Sequence, residues 1–306
     1  MSLSIEPLEH VGVQVLDFDL RQPISDAMAE ELKALWYEHA ILVFREQDID
    51  AETQIELSRV FGPLAIHPLP STRHPDHPEL FINKAGDEDD YLTLAYFDGE
   101  PLVARLDWHV DLIYTGKPNH GAVLRAVQVP DNEGMTGFGD RALAYDRLDS
   151  ETQALLSDLE VAYHFVQNQG QMRFCDNVKF EPGPNLPKSV EEAGVPDFPD
   201  AAYPAVGTHP VSGRQVLQIV PFFLNRVIAP EKAGLSEDEA DDLLRRIVKH
   251  VRRPELHYFH EWSPGDVIMW DNWRAMHCTT GTRPGTKRLV HRTTILGDAT
   301  LGRQLA

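Results

Sequence analysis

The chain has 306 residues, 42% of them hydrophobic and 25% charged, a globular composition that excludes a disordered, collagen-like or coiled-coil protein. Its 28 Lys and Arg against 48 Asp and Glu leave a net charge of −20, which repels phosphate backbones and argues against nucleic acid as a partner. Two cysteines, Cys175 and Cys278, supply neither a disulfide framework nor a CxxC metal knuckle. With no signal-peptide pattern and no run of about 18 apolar residues, the expectation is a cytoplasmic protein without a membrane partner, its oligomeric state left open.

The first predicted helix covers residues 23–38, with Met28, Leu32, Leu35 and Trp36 on one face and Ser25 as N-cap. A strand, Ala40–Phe44, follows. In DAETQIELSRVFG, Asp50 caps a second helix whose stripe is Leu57, Val60 and Phe61, and Gly62 is its expected stop. Prolines 68, 70, 75 and 78 disfavour a central strand, so IHPLPSTRHPDHPEL reads as a surface loop. Long loops are expected near 86–105 and 166–203, the Pro-rich acidic stretch Phe174–Tyr203 above all. Strands are expected at Gly121–Val127, Gln215–Val220, Glu255–Trp262, Gly265–Trp270 and Arg288–Leu296, between turns such as PDNEGMTGFGD. The clearest helix is SEDEADDLLRRIVKHV, in which Ser236 and Glu239 form a capping box and Leu243, Leu244, Ile247, Val248 and Val251 make the buried face. Many short strands with few helices imply a mainly β sandwich or barrel with flanking helices, one domain over 1–306.

Fourteen histidines make metal ligation the first chemistry to test. A His-x-Asp/Glu pair puts two ligands on one face of a strand, but composition alone produces about two such pairs in this chain and three occur. Context separates them. Two lie in the Pro-rich loop, whereas His109 and Asp111 sit in LDWHVDLIY, where a carboxylate is costly unless paired or metal-bound. Farther on, His277 precedes Arg288 and Arg292, whose even offset places both guanidinium groups on one strand face, opposite His291. Two such cations need anions facing them, from the protein or from a ligand. Trp108, Trp270 and Phe138 read as core. Cys278 reads as structural, and His257 and His260 are assigned to sheet faces or surface.

WHVD with Asp111, then GMTGFGD, then WDNWRAMH with Arg288 and Arg292 beyond it, together with FREQDIDAETQIELSRVFGPL, resembles the taurine dioxygenase (TauD/TfdA-like) family of Fe(II)/2-oxoglutarate-dependent oxygenases. The similarity runs from about Val13 to Asp298. The resemblance implies a double-stranded β-helix, a cupin-like jelly roll, with His109, Asp111 and His277 as the iron-binding triad and Arg288 and Thr136 binding 2-oxoglutarate. It also implies that Arg292 serves either the substrate or the co-substrate, and that His67 lies in the substrate pocket. Arg105 stands where the taurine enzyme has asparagine, and it shares parity with His109 and Asp111, so it becomes a further candidate for the substrate. The activity implied is hydroxylation of an unactivated C–H bond of a small, anionic organic molecule, with release of succinate and CO2. The alternatives left open are desaturation or cyclisation by the same chemistry, and a non-catalytic or zinc-dependent jelly roll.

Overall fold

The computed structural model describes residues 3–86, 93–176, 179–184 and 198–305. The capping signals act where the sequence places them. Ser25 accepts the Met28 N–H at the start of helix Asp26–His39, which buries Leu32 and Trp36. Asp50 accepts the Thr53 N–H at the start of Ala51–Arg59, a helix that ends three residues short of Gly62. Both halves of the capping box form at Glu237–Val251, and all five predicted apolar residues are buried.

Strands Ser4–Pro7, Val13–Leu16, Ile41–Phe44, Val267–Asp271, Gly121–Gln128, Arg288–Ile295 and Leu80–Ala85 lie side by side in that order in a seven-stranded sheet. A second sheet has the order His257–His260, Thr136–Asp140, Ala275–Thr279, Leu106–His109. The larger sheet contributes Ile41, Val43, Ala122, Leu124, Ile268, Trp270 and Val290 to a core shared with Phe138, Tyr258 and Ala275 of the smaller one. Alternation turns Val123, Val267, Met269 and Ile295 to the other face, where they pack on Leu32, Trp36, Leu57 and Phe61 around the first two helices. The architecture is therefore mainly β with flanking helices, as expected. Among the described residues no helix is long and apolar enough to cross a membrane.

The same alternation sorts the last long strand. Thr293 Oγ1 lies 2.6 Å from Ser58 Oγ and His291 Nδ1 lies 3.0 Å from Arg125 Nη2, both on the helix side. Arg288 and Arg292 face the opposite way.

The two segments read as loops contain strands. Thr93–Phe97 and Glu100–Val103 form a hairpin across Asp98 and Gly99, both with positive φ, and Lys179–Pro182 pairs with its outer side. Ala201–Pro204 pairs with Glu160–Tyr163. The rest of the expected loops, residues 87–92, 177–178 and 185–197, lies outside the described residues. Two short helices, Arg141–Asp146 and Ser150–Ser157, were not expected; Asp140 and Asp149 cap them.

Burial pushes the His257 and His291 imidazoles down to about 4. Unfolded histidine takes up a proton below about pH 6.5, so between that value and about 4 the unfolded chain binds more protons and stability is lost as pH falls. Melting temperatures recorded from pH 7 to pH 4 should decline through this window. A flat profile would mean that these rings are solvated in the native protein.

Candidate metal centre

His109 ends its strand and is the register partner of His277 on the neighbouring strand, so the two rings project together with centroids 4.0 Å apart. Asp111 follows two residues later. His109 Nε2 is 3.8 Å from Asp111 Oδ1, and His277 Nε2 is 3.7 Å from Asp111 Oδ2. Both gaps are shorter than twice a metal–ligand bond of about 2.1 Å, so one cation can reach all three groups.

The protonation states suit the same role. The His109 Nδ1–H donates to the Asp107 carbonyl at 2.8 Å, which leaves the Nε2 lone pair facing the centre. The His277 ring is held against Trp270, 4.8 Å between centroids. Burial lowers the pKa of both imidazoles, so both rings are neutral and free to act as ligands. Burial alone would raise the Asp111 carboxyl, but the Arg292 guanidinium beside it outweighs burial and holds the group well below the usual carboxylate range. Two neutral nitrogens and one carboxylate on one side of a cation match the donor set of non-haem Fe(II) oxygenases, with positions left open for other ligands.

The two arginines of the last strand differ in their partners. Arg292 Nη2 lies 2.5 Å from Asp111 Oδ2 and Nη1 3.4 Å from Oδ1, and the guanidinium stands 5.3 Å from the Trp270 ring centroid. Arg288 is 7% exposed, and no acidic partner meets it among the described residues. Burial alone pushes it down to about 10, and its Nε makes no hydrogen bond. It borders a narrow cavity with Asn83, Val103, Thr279 and Thr282. The Thr282 hydroxyl, buried there without a partner, was missed by the sequence reading, because its strand partner, Val103, lies in a distant part of the sequence. Thr136 is buried, and its hydroxyl accepts the Trp262 indole N–H at 3.0 Å, keeping its own proton to donate.

His67 stacks on Phe81 at 4.4 Å, and Phe81 is the cross-strand partner of Arg292. Its Nδ1 accepts the Leu69 N–H and lies 2.9 Å from Thr72 Oγ1. Burial and the nearby Arg292 push it down to about 4, so it is neutral with its proton on Nε2. Arg105 does not join the centre. The register steps from His277 opposite His109 to Thr279 opposite Leu106, a one-residue bulge that reverses the expected parity. Arg105 instead pairs with Asp176 at 3.3 Å, lies over the Phe97 ring, and lines a separate cavity of about 370 Å³ with Trp108 and Cys278. Cys278 thus points away from the triad, as alternation predicted.

A second cluster, His120, His209 and Asp271, is fully buried and compact, and the sequence reading passed over it. His209 Nδ1 accepts the Val211 and Ser212 N–H groups, so its proton sits on Nε2 and is donated to Asp271 at 2.8 Å. That ring has no lone pair left for a metal, and the cluster acts as a structural brace.

A model of the taurine catabolism dioxygenase TauD, TfdA family matches residues 4–294. The (S)-phenoxypropionate/alpha-ketoglutarate-dioxygenase of Sphingobium herbicidovorans is 30% identical over 94% of this chain and 90% of its own length. The alpha-ketoglutarate-dependent 2,4-dichlorophenoxyacetate dioxygenase of Cupriavidus pinatubonensis is 30% identical over 96% of this chain and 97% of its own. In structure, a taurine dioxygenase from Burkholderia xenovorans superposes with a TM-score of 0.75 at 24% identity, covering 99% of this chain and 94% of that one. The chain AAD-2, solved with Mn(II) and N-oxalylglycine, superposes with a TM-score of 0.69 at 25% identity over 98% and 100%. Sequence motifs, a triad of the right donors and whole-length similarity agree: this chain belongs to the TauD/TfdA family of dioxygenases, which work with Fe(II), 2-oxoglutarate and O2.

Proposed function

We propose that the chain is a single dioxygenase domain, its facing sheets forming a double-stranded β-helix, that hydroxylates a C–H bond of a small organic monoanion. His109, Asp111 and His277 would hold Fe(II), and Arg288 with Thr136 would bind the distal carboxylate of 2-oxoglutarate. The observation that carries this reading is Arg288, a buried cation that meets no acidic partner among the described residues, since a buried charge is costly unless an anion, here a ligand's, neutralises it. A guanidinium meets a carboxylate through two parallel hydrogen bonds, which lysine cannot do.

Charge balance extends the reading to the substrate. A divalent ion on Asp111 leaves one positive charge, Arg288 adds a second, and the 2-oxoglutarate dianion cancels both. Arg292, which pairs with Asp111, would share that carboxylate with the cation and so lack a counterion of its own, and a monoanionic substrate supplies one. The neutral His67 beside it offers an Nε2–H donor to the same anion. From His109 a run of rings leads outward: Phe222 at 5.5 Å, Phe223 at 4.5 Å from Phe222, and Tyr114 at 5.0 Å from Phe223. This wall fits an apolar or aromatic substrate body, in keeping with the phenoxy acids named for two relatives. Bound iron and co-substrate supply oxygen activation coupled to release of succinate; the chain's own groups orient the substrate and keep water out.

Arg292→Ala tests the anion reading. Because Arg292 also touches Asp111, the informative quantity is discrimination rather than rate. The native enzyme should prefer an aryloxy carboxylate to its neutral amide, and the variant should lose that preference by roughly tenfold or more, as expected for loss of a buried charge pair, while still binding 2-oxoglutarate. An unchanged ratio would assign Arg292 to the co-substrate instead. Product analysis separates hydroxylation from desaturation or cyclisation.

A further inference from the structure

We infer that Asn272 is the positioning residue for the metal-binding carboxylate: its side-chain amide, in place of a neighbouring strand, holds the backbone of Asp111. The inference rests on the triad reading above. The two histidines are fixed by sheet register, since His109 and His277 are paired residues of adjacent strands. Asp111 lies beyond the end of its strand, and Leu112 after it takes a left-handed conformation with φ 57°. Ladder hydrogen bonds therefore do not place it.

Asn272 supplies them. The Asp111 N–H donates to Asn272 Oδ1 at 3.0 Å, and Asn272 Nδ2 donates back to the Asp111 carbonyl at 3.2 Å. One amide thus meets both polar groups of one residue, as a paired residue does in an antiparallel sheet. The second Nδ2 proton goes to the Asn119 carbonyl at 2.9 Å. Asn272 is 0% exposed, so each of these bonds is made without competition from water.

The turn that carries Asn272 is itself braced. Its N–H donates to the His120 carbonyl, and the buried Arg141 donates to the carbonyls of Asn272 and Trp273 while its other arm holds Gln218. Next door, Asp271 accepts from His209 and from the Trp273 N–H. The brace described above as a cluster without a metal role thus has one at a distance: it fixes Asn272, and Asn272 fixes Asp111. Five residues on, the strand that follows the same turn carries His277, so carboxylate and second imidazole are set by one short, braced segment. Only asparagine serves here. Aspartate would turn an oxygen toward two carbonyls, and glutamine is a methylene too long.

Cobalt(II) binding by the metal-free protein tests this without turnover, read by calorimetry and by the visible d–d spectrum. Asn272→Ala and the near-isosteric Asn272→Asp should each bind Co(II) about 10- to 100-fold more weakly, the usual scale for losing a group that orients a ligand, with an altered spectrum. Ser58→Ala, which removes a buried hydroxyl pair on the far face of the larger sheet, should lower the melting temperature and leave Co(II) affinity unchanged. If Asn272→Ala does not fold, Asn272→Asp carries the measurement. Folded Asn272 variants with native affinity and spectrum would overturn the inference. Asp111→Ala serves as the reference: were it to bind Co(II) as the native protein does, the triad reading itself would fall.

Discussion

Asp111→Ala is expected to abolish substrate-dependent succinate release, by at least about a thousandfold. Two imidazoles alone leave a divalent ion without the anionic donor that suits Fe(II). The loss is also electrostatic, because the carboxylate balances Arg292 at 2.5 Å in a site where Asp111 and Arg292 are both mostly buried. Removing one partner of such a pair leaves the other charge uncompensated, so the metal-free variant should melt below the native protein as well. Asp111→Asn keeps the shape and removes the charge, and separates the two effects: it should lose metal affinity while retaining a hydrogen bond to Arg292. Metal titration and thermal melts on the three proteins check this. Retention of native metal affinity in Asp111→Asn would show that the carboxylate is not a ligand.

Arg288→Met should have opposite effects on function and on stability. A buried guanidinium that meets no anion among the described residues costs desolvation free energy in the unliganded fold, and an apolar side chain of similar length removes that cost. The unliganded variant is thus expected to be at least as stable as the native protein. Affinity for 2-oxoglutarate should fall by roughly 2 to 5 kcal/mol, about 30-fold to several thousandfold, because the distal carboxylate loses its partner. Thr136→Val should cost about 1 kcal/mol of the same affinity for one hydroxyl bond. The decisive measurement is the melting temperature of each variant with and without 2-oxoglutarate. A destabilised Arg288→Met that still gains the full native shift on adding 2-oxoglutarate would make Arg288 a structural residue.

Much of this site is legible in the sequence because it is built on periodicity. His109 and Asp111 stand out by their apolar setting, Arg288 and Arg292 share a face by parity, and His291 is excluded by the same rule. Arg105 fails because parity survives only while the ladder is regular, and the bulge between Leu106 and His109 carries no mark in the residues themselves. The hairpin at Asp98 and Gly99 did carry one: Asp-Gly between two β-rich runs is a standard turn signal, lost inside a stretch read as one long loop. Helix Ser150–Ser157 was signalled by its capping Asp149 in the same way. Asn272 and Thr282 were invisible for a different reason. Their partners lie 161 and 179 positions away, at Asp111 and Val103, and no local pattern announces a contact across that distance.

The order of strands in the larger sheet bears on how the chain reaches this structure. Val267–Asp271 lies between Ile41–Phe44 and Gly121–Gln128, and Arg288–Ile295 lies between Gly121–Gln128 and Leu80–Ala85, so the middle of the sheet is filled by its last-made pieces. Until those pieces emerge from the ribosome, Ile41–Phe44 is paired on one side only and Gly121–Gln128 and Leu80–Ala85 have no neighbour in this sheet, so their edges stay open. Completion of this sheet therefore waits for both pieces, as long-range pairing requires, and the high negative charge of the chain counters aggregation in the meantime. The same delay means that a chain made only as far as Gln128 cannot bring His109, Asp111 and His277 together.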